Sequence, residues 1–232
     1  MDITQEIREA IVNYCNALIV PDSNYLKKGG HKEHSIEWFK KHFNFIDNTT
    51  LQIHLADAFY QSRFVYKLMQ GLRLTAFKRG AMIKFQIQQY ASIYEAIIDF
   101  VLETYYKSEI KELLKEIEYR PIKVLSSNSK FTVELNGKTE TIVTCKQTTR
   151  DVPLKKTRID KRTKIAVDLG IISQGIKESI DSLYDLRNNI HILKAASADY
   201  RPNINEAQRA FELMNPFVES VKNHLKGKKK SK

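Results

Sequence analysis

Apolar residues recur at intervals of three and four along most of this chain, and that period predicts helices. Ile3, Ile7, Ala10, Ile11, Tyr14 and Leu18 follow it over residues 2–20, until Pro21-Asp22-Ser23-Asn24 breaks the run. A polar loop containing Gly29-Gly30 leads to a short helix over 35–45 with Trp38, Phe39, His42, Phe43 and Phe45. Asp47-Asn48-Thr49-Thr50 offers capping side chains to a long helix over 50–74, with Leu51, Leu55, Phe59, Val65 and Leu68 turned inward. Arg73, Lys78, Arg79 and Gly80 mark a bend. In the next helix, over 81–106, apolar residues from Met82 through Ile87, Tyr90, Tyr94 and Ile98 to Tyr105 cover more than one stripe. That breadth predicts a central, heavily buried element. Ser108 then begins a shorter helix over 109–118, closed before Tyr119-Arg120-Pro121.

The period now changes to two. Phe131, Val133 and Leu135 alternate with Thr132 and Glu134, Asn136-Gly137 supplies a hairpin turn, and Thr139–Cys145 returns as a second strand. Residues 122–166 therefore read as a β-hairpin insertion with a basic flank, too small to fold alone. Helix resumes near Asp168 or Ser173, burying Ile172, Ile176, Ile180, Leu183, Leu186 and Ile190, and runs to Ser197-Ala198-Asp199. Asn205 caps a last helix over 206–225 that Pro216 should kink. The fold class is mainly α: a helical bundle over 47–225 with the inserted hairpin, an N-terminal helical extension over 1–46, and a disordered basic tail over 226–232.

Composition narrows the class. Apolar residues at 42% and charged ones at 28% fit a globular chain with a sizeable core. No apolar run reaches the roughly 18–20 residues that span a bilayer, and Met1-Asp2-Ile3-Thr4-Gln5-Glu6 lacks the basic and apolar regions of a signal peptide. Cys15 and Cys145 are far apart and without metal-site spacing, so a reduced, cytoplasmic, cofactor-free protein is expected. His31, His34 and His42 have no cysteine or acidic pair to complete a metal site. There is no internal repeat, Gly-rich phosphate loop, G-x-S-x-G elbow or kinase signature. The net charge of +11 is concentrated, with +6 over 146–164 and +5 in the lysine-rich tail from Lys226. Such focused charge suits a polyanion, and Lys155, Lys156, Arg158, Lys161 and Arg162 are the candidate nucleic-acid contacts. A solvated loop and a solubilising tail are the plain alternatives.

The densest candidate chemistry lies in Leu183-Tyr184-Asp185-Leu186-Arg187-Asn188-Asn189-Ile190-His191. At 3.6 residues per turn Arg187 and His191 share a helical face, and Tyr184 joins them. A guanidinium fork holds phosphate oxygens, and an imidazole titrates near neutrality, so the pair suits a phosphodiester. The same residues also fit an exposed last helical turn with a cation favoured by the dipole. Glu95 and Asp99, four apart on the apolar helix, are supporting candidates. A carboxylate there is costly unless paired, so either could hold an Arg or His from another helix.

An all-helical core with a long early pair, and Arg187, Asn188 and His191 before a final helix, resembles the HEPN superfamily. Its hallmark is an R-(N/D/H)-x-x-x-H motif near the end of a long helix. Here three residues separate Arg from His, against four to six in the usual pattern. The resemblance covers about 50–225, with 122–166 inserted, and leaves the first 45 residues outside. It implies a metal-independent endoribonuclease in which the ribose 2′-hydroxyl attacks the adjacent phosphate and leaves a cyclic phosphate. His191 would be general base or acid, Arg187 would stabilise the phosphorane, and Asn188 would position phosphate or histidine. It also implies RNA as partner, a homodimer that brings two motifs together, and a toxin–antitoxin or anti-phage setting with a cognate partner protein. The competing readings are an inactive HEPN-like module that binds RNA or protein, and a basic helical DNA-binding or structural protein.

Overall fold

The side chain of Asn48 accepts the Leu51 amide and opens the long helical core, as its place before a helical apolar period requires. The computed structural model describes residues 3–19, 36–122, 131–190, 196–197 and 199–230. The chain divides into two units, Met1–Ile98 with Ile159–Lys232, and Asp99–Arg158. It is mainly helical, with two small two-stranded antiparallel sheets. Among the described residues no helix is long and apolar enough to cross a membrane.

In the first unit, α1 spans Ile3–Ile19, α2 Ile36–His42, α3 Thr49–Gly71 and α4 Ala76–Tyr105, the last turns of α4 belonging to the second unit. After the second unit come α6 (Ile159–Asp168), α7 (Gln174–Asn189), α8 (Ile204–Glu212) and α9 (Met214–Lys230). The core forms around α4, whose Ile83, Ile87, Tyr90, Ile93, Tyr94 and Ile97 are buried. Phe59 of α3 meets Phe39 of α2 edge to face at 5.0 Å and also touches Tyr90 and Phe211. Tyr94 donates to the Ala210 carbonyl at 2.6 Å and packs on Phe217. Residues 36–46 differ from the extension expected of them, because Phe39, Phe43 and Ile46 are core residues.

Helix ends follow local chemistry. Gly170, at φ +69°, closes α6 in a Schellman turn: Ile171 N–H reaches the Ala166 carbonyl and Gly170 N–H the Val167 carbonyl. Asn203, rather than Asn205, caps α8, with Glu206 returning the hydrogen bond in a capping box. Pro216 divides the expected last helix in two. It lies in the first turn of α9, where no intrahelical donor is needed, and α8 stops before it at Glu212. α9 continues to Lys230, so residues 226–230 of the expected disordered tail are helical, while 231–232 lie outside the described residues.

In the second unit, α5 (Lys107–Leu113) is shorter than expected, because Lys115–Pro121 forms strand β1 where the sequence reading had helix to 118. β2 (Phe131–Leu135) and β3 (Lys138–Ile142) make the inner hairpin, with Asn136 and Gly137 both at positive φ as a type I′ turn demands. β4 (Cys145–Asp151) pairs with β1 in the outer ribbon, Lys115 opposite Asp151 and Pro121 opposite Cys145. The insertion thus begins before residue 122. It ends before 166, since residues 159–168 form α6 of the first unit. On the ribbon, Ile117 (60% exposed) and Tyr119 (65%) share one face, while Glu116 and Arg150 pair at 3.5 Å on the other.

Candidate functional site

Glu95 sits on α4 between the buried Tyr94 and Ile97, so its carboxylate leaves a helix packed on nearly every side. A carboxylate so placed needs donors, and three arrive from α6 and α7. Arg162 of α6 reaches Oε1 at 3.0 Å. The Tyr184 hydroxyl of α7 donates to Oε2. Arg187, one turn later, reaches the same oxygen through Nη1 at 3.4 Å. Burial, then the bond to Glu95, pushes the Tyr184 phenol well above its ordinary value, which keeps it a neutral donor. The Arg187 guanidinium also lies 5.1 Å from the centre of the Tyr184 ring.

Exposure grades across this cluster. The side chain of Arg162 is 8% exposed, that of Glu95 27%, and that of Arg187 37%. Arg162 is inside because α6 presents Arg162, Thr163 and Ala166 on one buried stripe. A second polar clamp fixes the register of α6 against α7. Thr163 donates to Asp181 at 2.8 Å, and Lys177 meets the other oxygen of Asp181 at 2.6 Å. The arrangement anchors a carboxylate from beneath with one arginine and uses its outer oxygen to hold a second arginine by one corner. A fork held in this way remains able to face a phosphate.

The other expected site residues are placed as follows. Asn188 is exposed on the last turn of α7, which closes at Asn189 with Ile190 as its C-cap, short of the expected end at 197. His191 lies outside the described residues, as do His31 and His34. Asp99 follows Glu95 by one turn on α4 and is half-buried, in the second unit. The five candidate basic contacts fall in two units and are not all exposed. Lys155 and Lys156 are exposed on a 3-10 turn and Arg158 is exposed after it, all in the second unit. Lys161 is half-buried on α6, and Arg162 is turned inward onto Glu95, which removes it from any nucleic-acid surface.

The sequence reading missed Arg162 as an anchor. The signal was present, since Ile159, Thr163, Ile165 and Ala166 at helical spacing place residue 162 on the apolar side. It also missed a groove lined by Arg79, Lys84, Tyr200, Arg201 and Pro202, because its walls are remote in sequence. Among the described residues no group of three or more His, Cys, Asp or Glu could hold a metal ion. Compared with family models, curated proteins and solved structures, the chain matches nothing in any of the three.

Proposed function

We propose that the chain is a HEPN-like helical bundle acting as a metal-independent endoribonuclease, with Arg187, Asn188 and His191 as its working residues. The observation that carries this reading is Arg187 itself. Its guanidinium is half-exposed, held at one corner by Glu95, and Glu95 is fixed in turn by the buried Arg162. An arginine oriented before substrate arrives loses little freedom on meeting charge that develops on a phosphorane. In this reading His191 moves the proton of the 2′-hydroxyl or of the leaving oxygen, and two subunits contribute one motif each to a shared cleft. A toxin or anti-phage effector, kept in check by a partner protein, is the setting that such an activity implies.

The test is incubation of the full chain with transfer RNA and total RNA in EDTA, beside Arg187→Ala/His191→Ala. Cleavage by the wild type should leave 2′,3′-cyclic phosphate ends and fall by roughly a hundredfold or more in the variant. Equal cleavage by both proteins would remove these residues from the reaction. Binding without cleavage by either would make the chain a binding module.

A further inference from the structure

We infer that the groove between the start of α4 and residues 200–204 is a binding site for single-stranded RNA. The groove has a volume of about 930 Å³ and carries Arg79 and Lys84 on one wall, Tyr200, Arg201 and Pro202 on the other. That size lies at the upper end of the roughly 300–1,000 Å³ typical of ligand pockets. Three cations and no acidic side chain line it. Arg201 pairs with Asp199 at 3.9 Å at a site where both side chains are almost wholly exposed, so that pair is screened and weak.

Its other components suit bases rather than a bare anion. Ile83, which is buried, and Ile204 also line it and supply apolar surface. Tyr200 and Pro202 present flat surfaces, and a base can stack on such a face whatever its identity. The Tyr200 ring is held in place, because its hydroxyl donates to Glu206 at 2.7 Å. Burial and that bond keep the phenol protonated, raising it above its ordinary value. Cations spaced along a trough with one anchored aromatic are the elements of a strand-binding surface. The groove along α7 and α8 makes the contrast. At about 500 Å³ it sets Glu178, Glu206 and Glu212 against Arg209 and would repel a polyanion.

The choice of RNA rests on the ribonuclease reading; the strand chemistry rests on the groove alone. The test is fluorescence anisotropy of the full wild-type chain with a labelled single-stranded 2′-O-methyl oligoribonucleotide, which cannot undergo 2′-hydroxyl attack. Replacing Arg79, Lys84 and Arg201 together by alanine should weaken binding at least tenfold. It should also lower the slope of log affinity against log salt by about 2, at about 0.7 for each contact to a single strand. Tyr200→Ala should cost about tenfold, and Tyr200→Phe, which keeps the ring, about twofold or less. Replacing the exposed Lys41, Lys107 and Lys138 by alanine removes the same charge and should leave affinity within about twofold. The inference is overturned if that control loses as much as the groove variant, or if the groove variant binds like wild type. It is equally overturned if the wild-type chain ignores the strand or prefers duplex DNA. Cleavage that depends on Arg187 but not on the groove would sink this site and leave the ribonuclease standing. Groove-dependent binding with cleavage indifferent to Arg187 would do the reverse.

Discussion

The Glu95 cluster and the β1–β4 ribbon use the same residue types to opposite effect. In the first unit a glutamate meets two arginines from two other helices, with one arginine almost fully inside. In the second unit Glu116 meets Arg150 across the ribbon and Glu118 meets Arg120 along it, with at least one partner of each pair mostly exposed. Water and salt screen the ribbon pairs, so they contribute little. The Arg162–Glu95 pair is screened far less, because Arg162 is only 8% exposed, and removing Glu95 takes this partner from a guanidinium that lies inside. Burial decides what an Arg–Glu contact is worth, and the cluster beside Arg187 is the one that fixes a geometry.

The largest test of that contrast is Glu95→Ala. It leaves Arg162 buried without this partner and should destabilise the first unit by about 3 kcal/mol or more, read by urea unfolding. A loss below about 0.5 kcal/mol would place the cluster in the same class as the ribbon pairs. Tyr94→Phe comes next. The Ala210 carbonyl would lose its buried donor, at a cost of about 1–3 kcal/mol, in the same bundle but away from the cluster. If it costs as much as Glu95→Ala, charge is not what sets the cluster apart.

Acid sharpens the comparison further. Burial depresses His42 and His224, so each takes up a proton more readily unfolded than folded. Their contribution is complete above the unfolded imidazole value, about 6.5, and is lost as pH falls through their lower folded values. The thermal stability of the first unit should fall as pH drops below that value, and His42→Gln should flatten part of that slope. A slope unchanged by the substitution would assign the acid sensitivity elsewhere. The smallest effect belongs to the ribbon: Glu116→Ala should cost about 0.5 kcal/mol or less. A larger loss would show that the exposed pair holds the two strands in register.

Local chemistry made some of this architecture legible. Asn48 before a helical period, Asn136-Gly137 between alternating runs, and the broad apolar surface of α4 each led to the element observed. Three elements escaped, β1 with its partner β4, and α6. In β1 the alternation of Glu116, Glu118 and Arg120 with Ile117 and Tyr119 was present, but a preceding helical run masked it, and its partner lies some thirty residues on. In α6 the buried stripe includes an arginine and a threonine, so a core-facing helix read as a solvated basic flank. The site was legible as far as residue types permit. Glu95 stood out as an acid on an apolar helix, and Tyr184 and Arg187 as neighbours on one face. That they converge, and that Arg162 lies beneath them, depends on how three helices pack, which no local period encodes.

One carboxylate near the groove has a wider reach than its position suggests. Glu206 accepts both the Asn203 amide and the Tyr200 hydroxyl, so the order of the loop and the first turn of α8 share a single fastener. Opening one should release the other, and amides at the start of α8 should exchange with solvent together with those of the loop rather than in sequence. A strand that grips Tyr200 would then be felt as slower fraying of a helix it never touches.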